Sequence, residues 1–234
     1  MQNQKQIQKT PQHIAIILDG NRRFAKRLML EPWKGHEYGK EKVEKILDYA
    51  IELGIKELTF YALSCENIKS RPKNELEYLY DLMKKTFREI DREKIEKNKI
   101  KMRFIGNLEL LPSDLKEQCE KLEQETKDNS EFIVNFAIAY GGRQEIIEAV
   151  KKIIKNKVKE EEINEEIIEQ NLYMKNEPDM IIRTGGEKRT SNFLPWQSAY
   201  SEYFFLDKFW PEFEKEDLIK CIEEFKSRKR NLGK

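Results

Sequence analysis

The most concentrated group of chemically active side chains is a short loop of arginine, glycine and hydroxyl residues. It follows the apolar run 180–182 and contains Arg183, Gly185-Gly186, Arg189 and Ser191. Guanidinium and hydroxyl groups bind phosphate oxygens, and paired glycines let backbone N–H groups approach an anion closely. A loop that is only solvated has little need of this combination. We predict a diphosphate-binding loop here.

A carboxylate stands at the end of the first apolar run. Residues 13–18 have the pattern of a buried strand, which ends at Asp19-Gly20-Asn21-Arg22-Arg23. An aspartate at a strand tip is placed to hold a divalent cation, and the glycine and arginines after it suit a phosphate. The simple alternative is that Asp19 caps a helix and the arginines lie on the surface. The double arginine favours the phosphate interpretation.

Two more polar groups follow at similar places. His36 precedes a helical pattern, and although such a histidine is commonly a structural hydrogen-bonding group, its position soon after Asp19 suits a phosphate contact. The segments Ser64-Cys65-Glu66-Asn67 and Arg71-Pro72-Lys73-Asn74-Glu75 follow the apolar run 58–63, where a loop with a helix cap is the alternative. Near the end of the chain, Glu202 could add a second carboxylate to a magnesium site.

These groups are attached to short apolar runs that alternate with amphipathic helical patterns. We predict strands at 13–18, 58–63, 101–105, 132–139, 180–183 and 202–206. We predict helices over 43–51, over 76–90 and on towards 98, from about 113, over 146–154, over 163–174 and over 218–225. Such alternation predicts an α/β fold: a single domain with a mainly parallel central sheet of about six strands flanked by helices. Ligands of such sheets bind at the carboxyl ends of the strands.

Length and charge limit the class of protein. The 234 residues suffice for one domain, which we place at 13–230 between a flexible tail at 1–12 and a short tail at 231–234. A net charge of +1 gives no overall attraction for nucleic acid, so an anion site must be local. Three scattered cysteines predict a reducing compartment. With no signal-peptide pattern and no apolar run of about 20 residues, we predict a cytoplasmic protein.

In this order, the segments resemble the cis-prenyltransferase family (undecaprenyl diphosphate synthase-like isoprenyl transferases). The resemblance extends from about residue 13 to about residue 230, and the Asn-Arg-Arg-Phe form of the first segment is similar to the archaeal and eukaryotic branches. The matching segments are Asp19-Gly20-Asn21-x-Arg23, Gly35-His36, Tyr61-Ala62-Leu63-Ser64-x-Glu66-Asn67, Arg71-Pro72-x-x-Glu75, Tyr140-Gly141-Gly142-Arg143, Arg183-Thr184-Gly185-Gly186-Glu187-x-Arg189-x-Ser191-Asn192-Phe193 and Trp210-Pro211.

The resemblance implies Mg²⁺-dependent condensation of isopentenyl diphosphate onto an allylic diphosphate, farnesyl or geranylgeranyl, to make a long polyprenyl diphosphate for a glycosyl-carrier lipid. It implies a homodimer, delivery of the product to a membrane and room for a peripheral membrane contact. It implies that Asp19 and Asn67 are catalytic, with Asp19 and Glu202 on the metal. It implies that the substrates contact Gly20, Asn21, Arg22, Arg23, Phe24, His36, Ser64, Glu66, Arg71, Glu75, Arg183, Arg189 and Ser191.

The same resemblance places the growing chain in an apolar tunnel between the sheet and the 76–90 helix. The apolar stripe of that helix, with Phe136 and Ile138, is equally typical of an ordinary core. Four features depart from the family pattern. Pro32 stands where bacterial members usually have arginine, Ile68 stands where an aromatic residue often follows Asn67, and one extra residue lies between Asn67 and Arg71. Arg230 lies one place early for the usual Arg-x-Gly ending, which here is Asn231-Leu232-Gly233.

Two other functions are compatible with parts of the pattern. Phosphatases of the haloacid dehalogenase type also place an aspartate after an apolar strand, but they need a second aspartate two residues later, where this chain has Asn21. An accessory subunit of the prenyltransferase type would stabilise an active partner without catalysing. Such subunits tend to lack the metal-binding aspartate and the arginine-rich loop, and this chain has both.

Overall fold

Six parallel strands form one sheet, in the order β3-β4-β2-β1-β5-β6, in the computed structural model, which describes residues 10–228. Each predicted strand is present, and its ends differ from the prediction by at most one residue. The strands are β1 (His13–Ile17), β2 (Glu57–Ser64), β3 (Ile100–Ile105), β4 (Phe132–Tyr140), β5 (Met180–Arg183) and β6 (Glu202–Phe205). The predicted α/β fold with a six-stranded parallel sheet is confirmed.

The sheet is buried on both faces, which is why its strands are continuous apolar runs rather than alternating ones. On β1, Ile14 and Ile16 belong to the larger core, whereas Ala15 and Ile17 belong to a smaller core on the other face. The helices are α1 (Asn21–Arg27), α2 (Gly35–Glu52), α3 (Cys65–Ser70), α4 (Lys73–Arg88), α5 (Arg92–Lys97), α6 (Ser113–Thr126), α7 (Gly142–Lys155), α8 (Glu165–Asn171) and α9 (Lys215–Ser227).

Besides α2, which begins at Gly35 and not at residue 43, two helix predictions were wrong in extent. The pattern that continued from 76–90 towards 98 is divided between α4 and α5, because the side chain of Asp91 caps a new helix by accepting a hydrogen bond from the Lys94 N–H at 2.9 Å. The 163–174 helix is shorter than predicted, since Asn164 caps α8 and the helix ends at Asn171. Local capping by short polar side chains overrides apolar spacing at both places.

The predicted stripe of α7 is only partly a core face. Ala149 and Ile153 are buried, but Ile147, Val150 and Ile154 are 53%, 45% and 70% exposed. The prediction of a helix from the apolar spacing is therefore correct, but the prediction of which face of that helix is buried is wrong. An apolar face of α7 remains open on the single chain.

The predicted tails lie mostly outside the described residues. Of the first tail, Gln12 is attached to the fold: its carbonyl accepts from the N–H groups of Lys56 and Glu57, both at 2.9 Å, and its N–H donates to Asp179. The ending Asn231-Leu232-Gly233 lies outside the described part. Within residues 10–228, no helix is both long and apolar enough to cross a bilayer.

Candidate active site

Asp19 and the arginine loop meet at the carboxyl edge of the sheet. β1 lies between β2 and β5, with Ile17 in register with Tyr61 on one side and Arg183 on the other. The carboxylate of Asp19 therefore reaches two guanidinium groups: Oδ2 is 2.8 Å from Arg183 Nη2 and Oδ1 is 3.1 Å from Arg23 Nη2. The convergence of Asp19 with the arginine loop, on which the sequence interpretation depended, is present.

Arg183 also organises its own loop. Its side chain is 4% exposed, and Nη1 donates to the Ser191 hydroxyl at 2.7 Å and to the Arg189 carbonyl. Ser191, Asn192 and Leu194 have φ values of 51°, 64° and 48°, a backbone conformation that costs L-residues free energy. A single buried guanidinium thus holds a strained loop against Asp19. Such strain persists only where surrounding contacts fix it, which is common at functional sites.

Two glycines allow the close approach of these segments. Gly20 has φ 106°, and a Cβ there would lie 2.8 Å from the ring of Phe209. Gly185 has φ 90°, and a Cβ there would lie 2.6 Å from Arg23 Nη2. Both positions have a left-handed backbone, which favours glycine. At Gly20 the Phe209 side chain also leaves no room for a Cβ, whereas at Gly185 the Arg23 guanidinium would have to move.

A second cluster joins α2, α3 and α4 through Arg71, because His36, Asn67 and Glu75 lie on those helices. Its Nη1 lies 3.1 Å from Glu75 Oε1 and 3.2 Å from His36 Nε2, and its Nη2 is 3.4 Å from Asn67 Oδ1. A guanidinium only donates, so Nε2 of His36 is the acceptor and the ring proton is on Nδ1. Burial, with the charges of Arg71 and Arg22, lowers the pKa of His36 to about 3. His36 is therefore neutral near pH 7.

We expect the His36 ring to show no titration in NMR spectra between about pH 8 and about pH 5, because its pKa in the folded chain is about 3. The unfolded chain binds this proton below about pH 6.5, so the free energy of unfolding should fall as pH falls from there towards 3. His36→Gln removes this contribution. The loss of stability between about pH 7 and about pH 5, measured by urea unfolding, should be about 2 kcal/mol smaller in the variant. A ring that titrates near 6.5 contradicts the assignment.

A cavity of about 570 Å³ begins at these polar groups and continues between the sheet and α4. Its polar end contains Asp19, Asn21, His36, Ser64, Asn67, Arg71, Arg183, Arg189 and Ser191. Its apolar part includes Met83 and Phe87 of α4 and Phe136 and Ile138 of β4. The sequence left open whether the apolar stripe of α4 lines a tunnel or belongs to the core. It does both, since the same side chains pack in the core and line the cavity.

A smaller cavity adjoins the first beside α1. It is lined by Gly20, Arg22 and Arg23, by Lys26, and by Asp19, Asn21, His36 and Arg71, which also line the larger one. Arg22, with Nε 3.6 Å from Glu75 Oε1, connects α1 to the Arg71 cluster. The two cavities share Asp19 between them, so two anionic groups could bind on either side of that carboxylate.

The structure does not bring all predicted residues to this site. Glu202 begins β6 in register with Met180, at the opposite end of the sheet from Asp19, and its Oε2 is 2.6 Å from Arg228 Nη1. The expected metal site of Asp19 and Glu202 is therefore not formed within one chain, because Glu202 lies at the start of its strand whereas Asp19 follows the end of its own. Phe24 contacts Tyr38 and Arg27 and lines neither cavity.

Two predicted residues support the site from behind. Glu75 is 2% exposed and contacts Arg71 rather than either cavity. Glu66 accepts a hydrogen bond from the side chain of Asn192 at 2.9 Å, and Asn192 also accepts one from the Arg143 N–H at 2.9 Å. Asn192 therefore ties the arginine loop to α3 and α7. Sequence reasoning missed this role, although its place beside Ser191 in the matched segment was a signal for it.

Thr184, Trp210 and Tyr61 also belong to the matching segments, but their residue types did not indicate a role at the site. The hydroxyl of Thr184 donates to the Asp19 carbonyl at 2.8 Å, and the backbone N–H of Trp210 donates to the same oxygen at 2.9 Å. Tyr61 donates to the Ser191 carbonyl at 3.3 Å. These bonds fix the backbone on both sides of the cavity mouth and depend on contacts distant in sequence.

The donors at the cavity mouth fit magnesium only in company with a phosphorylated ligand. Among residues 10–228, no three His, Cys, Asp or Glu side chains come together as a metal cluster. Mg²⁺ commonly takes one or two carboxylates and completes its shell with substrate phosphates and water. Asp19, a single carboxylate facing a space lined by arginines, suits that arrangement.

Comparisons with known proteins place the chain in a family. Residues 17–233 match the family model described as "Putative undecaprenyl diphosphate synthase". The chain is 46% identical over 233 residues to a tritrans,polycis-undecaprenyl-diphosphate synthase (geranylgeranyl-diphosphate specific) of Methanopyrus kandleri, covering 97% of this chain and 86% of the relative. A protein of the same name from Pyrococcus abyssi is 46% identical over 231 residues, covering 96% and 87%.

A solved structure agrees with these relatives. Lavandulyl diphosphate synthase from Lavandula x intermedia, in complex with dimethylallyl diphosphate, superposes with a TM-score of 0.91 at 33% identity, over 96% of this chain and 99% of that one. Sequence family, fold and the charged cavity mouth thus point the same way. The chain belongs to the undecaprenyl diphosphate synthase family and is a prenyltransferase.

Proposed function

We propose that this chain elongates an allylic diphosphate with isopentenyl diphosphate in the cis configuration, and that its primer is geranylgeranyl diphosphate. The observation that carries the proposal is the joining of a cationic mouth around Asp19 to a long apolar cavity. A prenyl diphosphate has the same division into an anionic head and an apolar tail. The names of the two archaeal relatives, which specify geranylgeranyl diphosphate, support the choice of primer.

The two diphosphates are assigned to the two sides of Asp19. The allylic diphosphate lies against Gly20, Arg22 and Arg23, which line the smaller cavity. The neutral His36 donates its Nδ1–H to the same group. The isopentenyl diphosphate lies against Arg183, Arg189 and Ser191 on the other side, and Ser64 and Asn67 orient its hydrocarbon part. A magnesium ion held by Asp19 would neutralise further diphosphate charge.

The reaction breaks the C1–O bond of the allylic diphosphate and joins C1 to C4 of the isopentenyl unit. The electron pair of the broken bond leaves on the diphosphate oxygen, the isopentenyl double bond supplies the electrons of the new bond, and a proton is lost from C2. Arg22 and Arg23 are already paired with Glu75 and Asp19 beside the leaving diphosphate, so they stabilise it with little reorganisation. The apolar walls keep water from the developing carbocation.

Incubation of the purified single chain with Mg²⁺ and labelled isopentenyl diphosphate tests this function. Geranylgeranyl and farnesyl diphosphate are supplied in separate reactions, and the products are separated by chromatography. We expect polyprenyl products, formed faster from geranylgeranyl diphosphate. A chain that incorporates no label unless a partner protein is added would be an accessory subunit. Release of phosphate without condensation would indicate a phosphatase.

Product length should depend on the free volume beside α4. Met83 lines the cavity, so Met83→Trp is expected to shift the product distribution towards fewer isoprene units, as seen by reversed-phase chromatography of the dephosphorylated products. Lys85→Trp adds the same side chain to an exposed position of the same helix and should leave the distribution unchanged. An identical effect of both variants would show that the product tail does not occupy this cavity.

We also propose that the chain works in the cytoplasm as a homodimer, with a peripheral membrane contact. The open stripe of Ile147, Val150 and Ile154 on α7, together with the edge position of β6, supports a second copy as the partner. Ile154→Asp is expected to shift the chain from dimer to monomer in light scattering. Leu110→Asp, at another exposed apolar residue, is the control. A monomeric wild type would exclude the dimer.

A further inference from the structure

The turn that follows α1 has a conformation that its sequence does not favour. The Met29 N–H donates to the Lys26 carbonyl at 3.0 Å and the Leu30 N–H donates to the Ala25 carbonyl at 2.9 Å, which is the Schellman arrangement. It places Met29 at φ 58°, in the left-handed region. Glycine is the usual residue at this position, because a Cβ is strained there. A methionine here therefore costs conformational free energy.

Packing within the chain does not offset that cost. Met29 is 96% exposed, and Leu28 beside it is 45% exposed. Pro32 and Trp33, in the next turn, are partly exposed. Residues 28–33, which we call the apolar turn, thus direct large apolar side chains into solvent. The Met29 side chain contributes little to the packing of the described residues. It would contribute apolar burial only if another surface covered it.

The residues around the apolar turn are strongly basic. From residue 22 to residue 34 the chain has five cations (Arg22, Arg23, Lys26, Arg27 and Lys34) and one acid, Glu31. Arg27 is partly neutralised by Glu212 and Arg23 by Asp19, while Lys26 and Lys34 are exposed. Exposed apolar side chains beside lysine and arginine are the composition that enters the headgroup region of anionic bilayers.

The apolar turn is also continuous with the active site. Lys26, one residue before the end of α1, lines the smaller cavity together with Arg22, Arg23 and His36. A bilayer that contacts the turn would lie within about one helical turn of the place where the diphosphate head of a lipid substrate binds.

We infer that the apolar turn docks on the surface of an anionic phospholipid bilayer, with Leu28 and Met29 inserted among the lipids. The inference rests on the proposed prenyl chemistry only for the reason why a bilayer should be close to this edge of the protein. The proposed membrane contact is therefore made by a surface turn and does not require a helix that crosses the bilayer.

Flotation of the full chain with vesicles, in the absence of substrate, tests the inference. The wild type should float with vesicles containing phosphatidylglycerol, and less with phosphatidylcholine alone or at high salt. Met29→Gly should lower the bound fraction roughly tenfold, since it removes an apolar side chain that is 96% exposed. Its melting temperature should not fall, because glycine suits the left-handed φ. Leu28→Gln should also weaken flotation, whereas Leu110→Gln, equally exposed at 45%, should not.

Three results would overturn the inference: a wild type that stays in the dense fraction, a Met29→Gly variant that floats like the wild type, or a Leu110→Gln variant impaired as strongly as Leu28→Gln. Condensation measured in detergent solution reports on the proposed function separately. A chain that condenses but does not float refutes the membrane contact alone, and a chain that floats but does not condense refutes the proposed chemistry alone.

Discussion

Asp19→Asn is expected to lower the rate of isopentenyl diphosphate condensation by about 10³-fold, measured as label incorporated at saturating substrates and Mg²⁺. The neutral amide keeps the shape of the side chain but removes the negative charge at the junction of the two cavities. Without that charge the site loses its carboxylate for magnesium and the acceptor that aligns Arg183 and Arg23. Loss of the magnesium ligand and of the alignment of Arg23 weakens stabilisation of the leaving diphosphate, and loss of the alignment of Arg183 weakens binding of isopentenyl diphosphate.

The same substitution should have a smaller effect on stability. Arg183 is buried and would lose a charged acceptor while keeping the Ser191 hydroxyl and the Arg189 carbonyl. We expect the free energy of unfolding to fall by about 1–2 kcal/mol, which leaves the chain folded. Asp114→Asn, which removes an exposed ion pair with Lys84, is the matched control and should change neither property appreciably. A condensation rate near that of the wild type would exclude the role given to Asp19.

The strands and the cavity mouth could be predicted from the sequence because local pattern determines them. A continuous apolar run bounded by polar residues has few alternatives to a buried strand, and parallel strands bring their carboxyl ends to one edge. Asp19 and Arg183 are 164 residues apart in sequence, but each comes at the end of such a run. Their meeting follows from topology alone.

What the sequence could not supply depends on which end or side of an element a residue occupies. Glu202 was assigned to the metal because a carboxylate leads into a strand there, yet the amino-terminal position of that parallel strand lies at the opposite edge of the sheet from Asp19 of the same chain. The α7 stripe has helical spacing whether or not another chain covers it. The support from Asn192 and Thr184 depends on loop conformations with left-handed residues, which residue type does not specify.

Arg183→Lys is expected to lower kcat/KM for isopentenyl diphosphate by about 10²-fold, although the charge is kept. The guanidinium binds Asp19 Oδ2, the Ser191 hydroxyl and the Arg189 carbonyl from two nitrogens held in one plane. The lysine ammonium is a single nitrogen on a flexible stem without the planar fork, so it cannot reach all three acceptors at once. The loop should then relax from its strained φ values, so that Arg189 and Ser191 no longer face a diphosphate together.

Relaxation of the loop in Arg183→Lys predicts changes in kcat and in protease sensitivity that the loss of one ligand contact would not cause. Arg183→Lys should lower kcat as well as raise KM, and limited proteolysis should cut the loop more rapidly than in the wild type. Arg189→Lys changes a 60% exposed side chain whose partner is Glu187, so it should mainly raise KM for isopentenyl diphosphate, by about tenfold or less. Arg92→Lys, at an exposed pair with Glu125, controls for the exchange itself. If Arg183→Lys and Arg189→Lys have the same kinetic profile and the same protease resistance, Arg183 is a ligand contact only and does not hold the loop.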